Sequence, residues 1–389
     1  MQLKRTLFWT LLFVLSLLTD SDAQDDVNTE FYIQTFNNNI TVMTPVISYD
    51  KEISTHTNYS LKLTVDFVGE RIAGAGSVDS VSGASRRAGN KNKGYKEDND
   101  NDDEKENKEN EGSGEGEFGI DIIDVRKEIT FGFNHHIDRF LEAKLGYDFS
   151  IEKDYISNTP SITFVRDFFM KNTTLAAGYS RNMDRVNGVY MDSSSSKNGD
   201  NYYLSLTQIL SPMTVTQFAY SQSNIKGFMP PGTRKVTINT TEFNEVMPDT
   251  RIKKAYVARL NQYIPIGASI QLAYRYYADD WNVKSHTSKA AIFKYIGENT
   301  LFRINYRYYN QTGAFFYKDK YQSVEDFITS DLALAPMTTH LYGIRMLYNM
   351  GTVENSGVDE SKIELKYERY DQSVGISGNI VMVALNFTF

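Results

Sequence analysis

The feature that most limits what this chain can become is a period of two that lasts too long. Leu141, Ala143, Leu145, Tyr147, Phe149 and Ile151 are apolar, while Glu142, Lys144, Asp148, Ser150 and Glu152 occupy the other parity. Only an extended strand sorts alternate residues onto opposite faces. The run exceeds an ordinary globular strand and suits a tilted membrane crossing. The pattern returns where Ile363, Leu365 and Tyr367 oppose Lys362, Glu364, Lys366 and Glu368, and where Phe302, Ile304, Tyr306 and Tyr308 oppose Arg303, Asn305 and Arg307. Both stretches put charge on the face that would line a lumen.

Similar stretches fall near 29–36, 41–51, 59–68, 125–134, 139–151, 161–169, 173–184, 200–210, 214–224, 252–263, 268–280, 285–296, 300–311, 339–350, 360–371 and 379–389. They predict an all-β chain, a transmembrane antiparallel β-barrel of about 16 strands, with 14 to 16 as the range. The first stretch alternates only briefly, so a plug or periplasmic segment is its alternative. Connections supply a separate test, because bacterial barrels place short turns on the periplasmic side and long loops outside. Counted back from the C-terminus, 351–359, 297–299, 264–267, 211–213, 170–172, 135–138 and 52–58 are brief. The alternating set, 372–378, 312–338, 281–284, 225–251, 185–199, 152–160 and 69–124, contains every long connection. A soluble sandwich has no reason to sort its loops by parity.

The N-terminus reads as a secretory signal over residues 1–23. Lys4 and Arg5 supply the positive end, Leu7 to Leu18 the apolar stretch, and Ser21-Asp22-Ala23 a cleavage site before Gln24. Residues 24–389 then form one barrel domain. Beyond the signal no apolar run reaches the roughly 20 residues of a spanning helix, and mean hydropathy is -0.43. Strands alternating between lipid and lumen never build a hydropathy peak, so this excludes helical membrane proteins and leaves barrels. The 26 Tyr and 23 Phe match the need for aromatic girdles. With no Cys, disulfides, thiolate metal sites, a Cys nucleophile and lipid attachment through an N-terminal Cys are all excluded.

At the C-terminus, Val381, Val383, Leu385, Phe387 and Phe389 alternate with Ile380, Met382, Ala384, Asn386 and Thr388. An aromatic residue ending such a strand resembles the signal read by the outer-membrane barrel assembly machinery, with Phe387 and Phe389 carrying it. Outer-membrane lipid and that machinery are the expected partners, the bacterial outer membrane the expected location, and nucleic acid is not expected.

A second segment, Val78-Asp79-Ser80-Val81-Ser82-Gly83-Ala84-Ser85, follows a strand ending in Val65-Asp66 and an earlier stretch containing Thr44-Pro45. Together these resemble an uncharacterised family of bacterial outer-membrane barrels of the DUF3570 type. The resemblance implies a barrel in the outer membrane and supplies no substrate or catalytic residue. Its motif positions here are Asp66, Asp79, Ser82, Gly83 and Ser85. Asp79, Ser82 and Ser85 would make a hydrogen-bonded turn around Gly83, with a ligand site as the alternative.

The segment from Arg86 to Glu117 departs from that family as an insertion. From Glu97 to Glu117 eleven acidic residues face two lysines, a net of -9, after the basic run Arg86, Arg87, Lys91, Lys93 and Lys96. Without apolar residues to offset its ordering entropy, 86–117 is expected to be a disordered external loop. Asp98, Asp100, Asp102 and Glu104 alternate as in a calcium loop, but Asp103 occupies the position of the required turning glycine. A loose attraction for divalent ions is expected there, and no defined metal site.

His135-His136 falls in a predicted short turn, and neighbouring residues on a strand point apart, which makes a poor chelate. No metalloprotease, nucleophile-elbow, phosphate-loop or dinucleotide motif occurs, so neither catalytic nor cofactor-binding residues are assigned. The expected lumen mixes Glu142, Lys144, Asp148, Arg275, Asp279, Arg303, Arg307, Glu364, Lys366 and Glu368. Such a mixture favours salt bridges bracing the wall, with a charged aqueous path as the alternative. A porin-like or substrate-gated conduit is the leading functional expectation. A non-conducting surface or assembly protein is the second, and a barrel-embedded hydrolase a remote third.

Overall fold

In a computed structural model describing residues 25–71, 120–353 and 357–389, the alternating stretches form one closed antiparallel barrel of sixteen strands. The wall runs through β1 (Asp25–Phe36), β2 (Ile40–Ser54), β3 (Thr57–Arg71), β4 (Ile120–Asp138), β5 (Leu141–Ile151), β6 (Tyr155–Phe168), β7 (Thr173–Val186), β8 (Ser195–Ser211) and β9 (Thr214–Gly227). A connection carrying the short hairpin β10 (Lys235–Ile238) and β11 (Thr241–Asn244) intervenes. The wall then continues through β12 (Thr250–Ile264), β13 (Ala268–Asp279), β14 (Lys284–Ile296), β15 (Thr300–Gln311), β16 (Met337–Val353), β17 (Val358–Gln372) and β18 (Ser377–Thr388). The expected signal at 1–23, the charged run 86–117, and Asp79, Ser82, Gly83 and Ser85 lie outside the described residues.

The stretch near 29–36, left open as a plug, belongs to the wall. As β1 it pairs with β18 from Asp26↔Thr388 to Phe36↔Gly378, and with β2 on its other side. The seam is finished by Asp25 N–H donating to the Phe389 carbonyl at 3.2 Å and Phe389 N–H to the Asp25 carbonyl at 2.8 Å. Closure leaves no unpaired edge, the condition for backbone in a medium that cannot hydrogen-bond.

Connections alternate as expected. Residues 55–56, 139–140, 169–172, 212–213, 265–267 and 297–299 turn at one end, with both chain ends. The connections 37–39, 152–154, 187–194, 228–249, 280–283, 312–336 and 373–376 lie at the other. Several strands outrun the alternation that announced them. Backbone N–H and C=O groups stay paired where the outer face turns polar, so the ladder continues past the apolar pattern. One consequence is a correction: β4 runs to Asp138, which puts His135 and His136 in a strand rather than a turn. The His135 Nδ1 shares a hydrogen bond with Thr57 Oγ1 at 2.9 Å across the ladder.

Proline explains a second correction, since β6 begins at Tyr155 and not near 161. Asn158-Thr159-Pro160 reads locally as a turn. The strand passes through it, and the proline's missing donor falls towards β7, where pairing jumps from Asn158↔Met183 to Ser161↔Ser180. Pro45 does the same on β2, with pairing to β3 jumping from Met43↔Phe67 to Val46↔Thr64.

The outward face is apolar, with Ile304 63% and Phe218 58% exposed. Its boundary at the long-loop end is drawn by tyrosines. Tyr147 donates its hydroxyl to Asn158, Tyr179 to Asp200, Tyr220 to Gln222 and Tyr367 to Asn379, at 2.7 to 2.9 Å. Tyr274 and Tyr306 share hydrogen bonds with the Nδ1 atoms of His286 and His340. Each partner lies nearer the long loops than its tyrosine. On β13 the outward face from Ala268 to Tyr276 covers about 27 Å along the strand, or about 21 Å of height at a tilt near 40°. That height matches the apolar band of membrane barrels.

Candidate functional site: the inner wall and its mouth

The barrel's inner face is built from the parity opposite the exposed Leu145, Ile304, Ile344 and Leu365. All ten charged residues expected there face inward, and their neighbours divide the lumen into arcs of different chemistry. On β2 to β4, the gap that Pro45 leaves in the ladder is bridged by side chains. Thr44 Oγ1 donates to buried Asp66 at 2.6 Å, Asp66 lies 3.5 Å from the Arg126 guanidinium, and Arg126 also pairs with Glu128. Thr44 and Asp66, two residues of the family resemblance, are thus brought together by cross-strand pairing as a brace.

Further bracing joins β16 and β17, where Arg345 pairs with Glu364, and runs along β17, where Lys366 meets Glu368 at 3.4 Å. Lys144 and Glu142 pair at 3.3 Å on β5. These are the wall-bracing salt bridges expected from sequence. A band of small residues crosses β3 to β7: Gly132 faces Ser60, Gly146 faces Ser161, and Gly178 faces Thr163, so at that level little side chain projects into the lumen. Towards the long-loop end, Ser161, Thr163, Tyr203, Ser221, Lys253 and Arg275 help line a cavity of about 350 Å³.

On β12 to β15, below the Arg251–Asp279 pair at the mouth, the pairing stops. Arg259, Arg275, Lys289, Arg303 and Arg307 face the lumen, and among the described residues no carboxylate lies within ion-pair distance of any of them. Lys289 and Arg307 are direct cross-strand partners, and so are Arg303 and Arg345. The Nε atoms of Arg303 and Arg307 are buried without a hydrogen-bond acceptor. Half a circumference away, β3 to β5 present Asp66, Asp124, Glu128, Glu142 and Asp148 against Lys62, Arg126 and Lys144. Sequence reading named Arg275, Arg303 and Arg307 and missed Arg259 and Lys289. Their signal was inward parity within 252–263 and 285–296.

The mouth at the long-loop end has cores of its own. Trp281, Val283, Ala314, Phe316 and Leu334 pack together beside inward-facing Tyr277, and Trp281 Nε1 donates to the Thr250 carbonyl at 2.9 Å. Asp279 organises this corner: its carboxylate accepts from the Trp281 and Val283 backbone N–H groups and from Tyr277, and pairs with Arg251 at 2.5 Å. The hairpin β10–β11 turns through Asn239 and Thr240 at φ 48° and 78°, and seats Val236 and Ile238 against Tyr321 and Ile328 of the 312–336 loop. Four-residue strands inside a long polar connection gave the sequence reading nothing long enough to detect.

Buried Arg234 pairs with Asp331 at 2.6 Å where the two loops meet. Glu245 accepts from Thr329 Oγ1 and Ser330 N–H, both at 2.8 Å. Burial pushes the Glu245 carboxyl above its usual range, opposed by the Arg234 guanidinium and these hydrogen bonds. Leu332 of the same loop packs on the cluster of Phe36, Ile40, Val42, Val68 and Ile376 at the tops of β1 to β3.

A family described as protein of unknown function DUF3570 matches residues 16–198 and 187–385 of the sequence. The chain belongs to the DUF3570 family. No curated protein matches it in sequence. Among solved structures, this DUF3570 barrel is similar to OpdK of Pseudomonas aeruginosa, determined with vanillate, at 7% identity and TM-score 0.45, covering 95% of this chain and 98% of that one. It is also similar to OccD3 (OpdP) of the same organism, at 12% identity and TM-score 0.46, covering 95% and 91%. A loop L8 deletion mutant of OmpT, an outer membrane protein of Vibrio cholerae, gives 8% identity, TM-score 0.43, and coverage of 95% and 100%. The DUF3570 chain is itself a porin-like closed barrel of sixteen strands, with its long described loops, 187–194, 228–249 and 312–336, all at one end.

Proposed function

We propose that this protein is an outer-membrane conduit for small polar solutes. The observation that carries the reading is that Arg259 and Lys289, inward-facing side chains well below the mouth, are solvent-exposed inside a closed barrel. Tyr203, also inward, is 41% exposed. A lumen wide enough to wet its wall at that depth is wide enough for a hydrated path. The apolar outer band and its tyrosine boundary support a membrane location, with the short turns and both chain ends on the periplasmic side.

Conductance in planar bilayers tests the conduit directly. Purified protein is expected to carry current above empty-membrane controls, and so is a variant lacking residues 86–117. Absence of current in both overturns the conduit and favours a non-conducting surface or assembly protein. Location is tested by fractionation: the protein should partition with outer membranes and shift its gel migration on boiling.

A further inference from the structure

Resting on the conduit reading, we propose that the unpaired cations of β12 to β15 form a track that binds and guides small oxyanions, carboxylates or phosphates, through the lumen. Register supplies the geometry. Arg259, Ala273, Lys289 and Arg307 lie side by side on four successive strands, and Arg275 shares a level with Thr287 and Tyr309. From the level of Tyr309 down to Arg303 is six residues of β15, about 20 Å along the strand at roughly 3.4 Å per residue. The track therefore spans most of the apolar band, beginning beneath the mouth corner at Tyr277 and Asp279.

A structural role does not account for this arrangement. Elsewhere on the inner wall most cations meet carboxylates, as Arg126, Lys144, Arg345 and Lys366 do, with Lys62 a lone exception among the described residues of β3 to β5. Here, like charges stand directly opposite each other, a placement that destabilises a sheet. Arg275 lies over the Tyr277 ring with its Cζ 5.2 Å from the centroid, and Arg303 over the Phe293 ring at 5.3 Å, contacts that restrain both guanidinium groups. A fork of donors held in plane is the group that takes a carboxylate or phosphate through two hydrogen bonds. The cations stand at three levels, Arg275, then Arg259, Lys289 and Arg307 two residues lower, then Arg303 four residues below Arg307, about 7 and 14 Å apart along the strand at roughly 3.4 Å per residue. Long side chains at these steps would pass such an ion along without trapping it.

The test uses the full-length barrel in bilayers under a potassium chloride gradient. The native protein should prefer chloride to potassium, and acetate or inorganic phosphate should slow the current. A variant carrying Lys289→Gln, Arg303→Gln and Arg307→Gln should lose that preference by on the order of tenfold, with three charges acting across a screened aqueous lumen. Arg303→Lys with Arg307→Lys should keep the chloride preference and weaken the slowing by acetate and phosphate. Stronger slowing by phosphate assigns phosphorylated solutes; stronger slowing by acetate assigns carboxylic acids. A conducting native barrel without chloride preference, or a folded triple variant that retains it, overturns the track and leaves the conduit standing. A native barrel that carries no current overturns both. Heat-modifiable migration establishes that each variant has folded.

Discussion

The seam between β1 and β18 should be unusually intolerant of one added methyl group. Gly378 lies directly opposite Phe36, and a Cβ at Gly378 would come within 2.4 Å of the ring's Cδ1, 2.8 Å of Cε1 and 2.8 Å of the Thr35 carbonyl oxygen. The ring is packed in one buried cluster with Ile40, Val42, Val68 and Ile376, and the carbonyl belongs to the strand that closes the barrel. Neither can yield without moving β1. Overpacking of this kind costs about 1–3 kcal/mol, so Gly378→Ala should reduce the folded-to-unfolded ratio by about fivefold to 150-fold. Gly146→Ala is the matched control, because its Cβ would meet the Ser161 hydroxyl at 2.4 Å, a tip free to rotate away. Urea titration in lipid vesicles, scored by heat-modifiable migration, gives both midpoints. Adding Phe36→Leu to Gly378→Ala should recover stability, with a coupling of about 0.5–3 kcal/mol in the double-mutant cycle. Equal midpoints for the two alanine variants, or a cycle with no coupling, would refute the reasoning.

The remaining predictions concern the brace, the mouth and the girdle. Asp66→Ala strips a partner from Arg126 and Thr44, and should destabilise the barrel by about 1–3 kcal/mol in the same titration. Asp66→Asn, which keeps an acceptor for Thr44, should cost less. The raised Glu245 carboxyl favours packed mouth loops when protonated. That stabilisation is complete below the ordinary carboxylate range and is lost as pH rises through the raised native value. Hydrogen exchange at 328–331, corrected for its intrinsic pH dependence, should therefore accelerate over that window, and Glu245→Gln should flatten the response. Tyr306→Phe removes one girdle hydroxyl from His340 and should shift the urea midpoint by less than about 1 kcal/mol, because the pair is exposed.

Alternation made the wall legible because each strand's two faces meet two different media, and loop parity oriented it. What could not be read was lateral. Parity says that Lys289 and Arg307 face inward, but their position side by side depends on the register set by the 297–299 turn. The brace at Asp66 was visible only as a family resemblance, since the Thr44 contact exists only once β2 and β3 pair around Pro45. The mouth was hidden for another reason. Its cores join Val236, Ile238, Tyr321 and Ile328 from two connections far apart in sequence, with no period to announce them.

The separation of charge around the ring carries a consequence for solutes bearing both signs. With unpaired cations on β12 to β15 and the predominantly acidic wall of β3 to β5 half a circumference away, the interior field points across the barrel axis. A zwitterion would be turned broadside by that field, its two ends drawn to opposite walls. The dimension limiting its passage would then be the distance between its charges, not its narrowest profile. Two isomers of equal mass and zero net charge, differing only in where the charges sit, should cross at different rates.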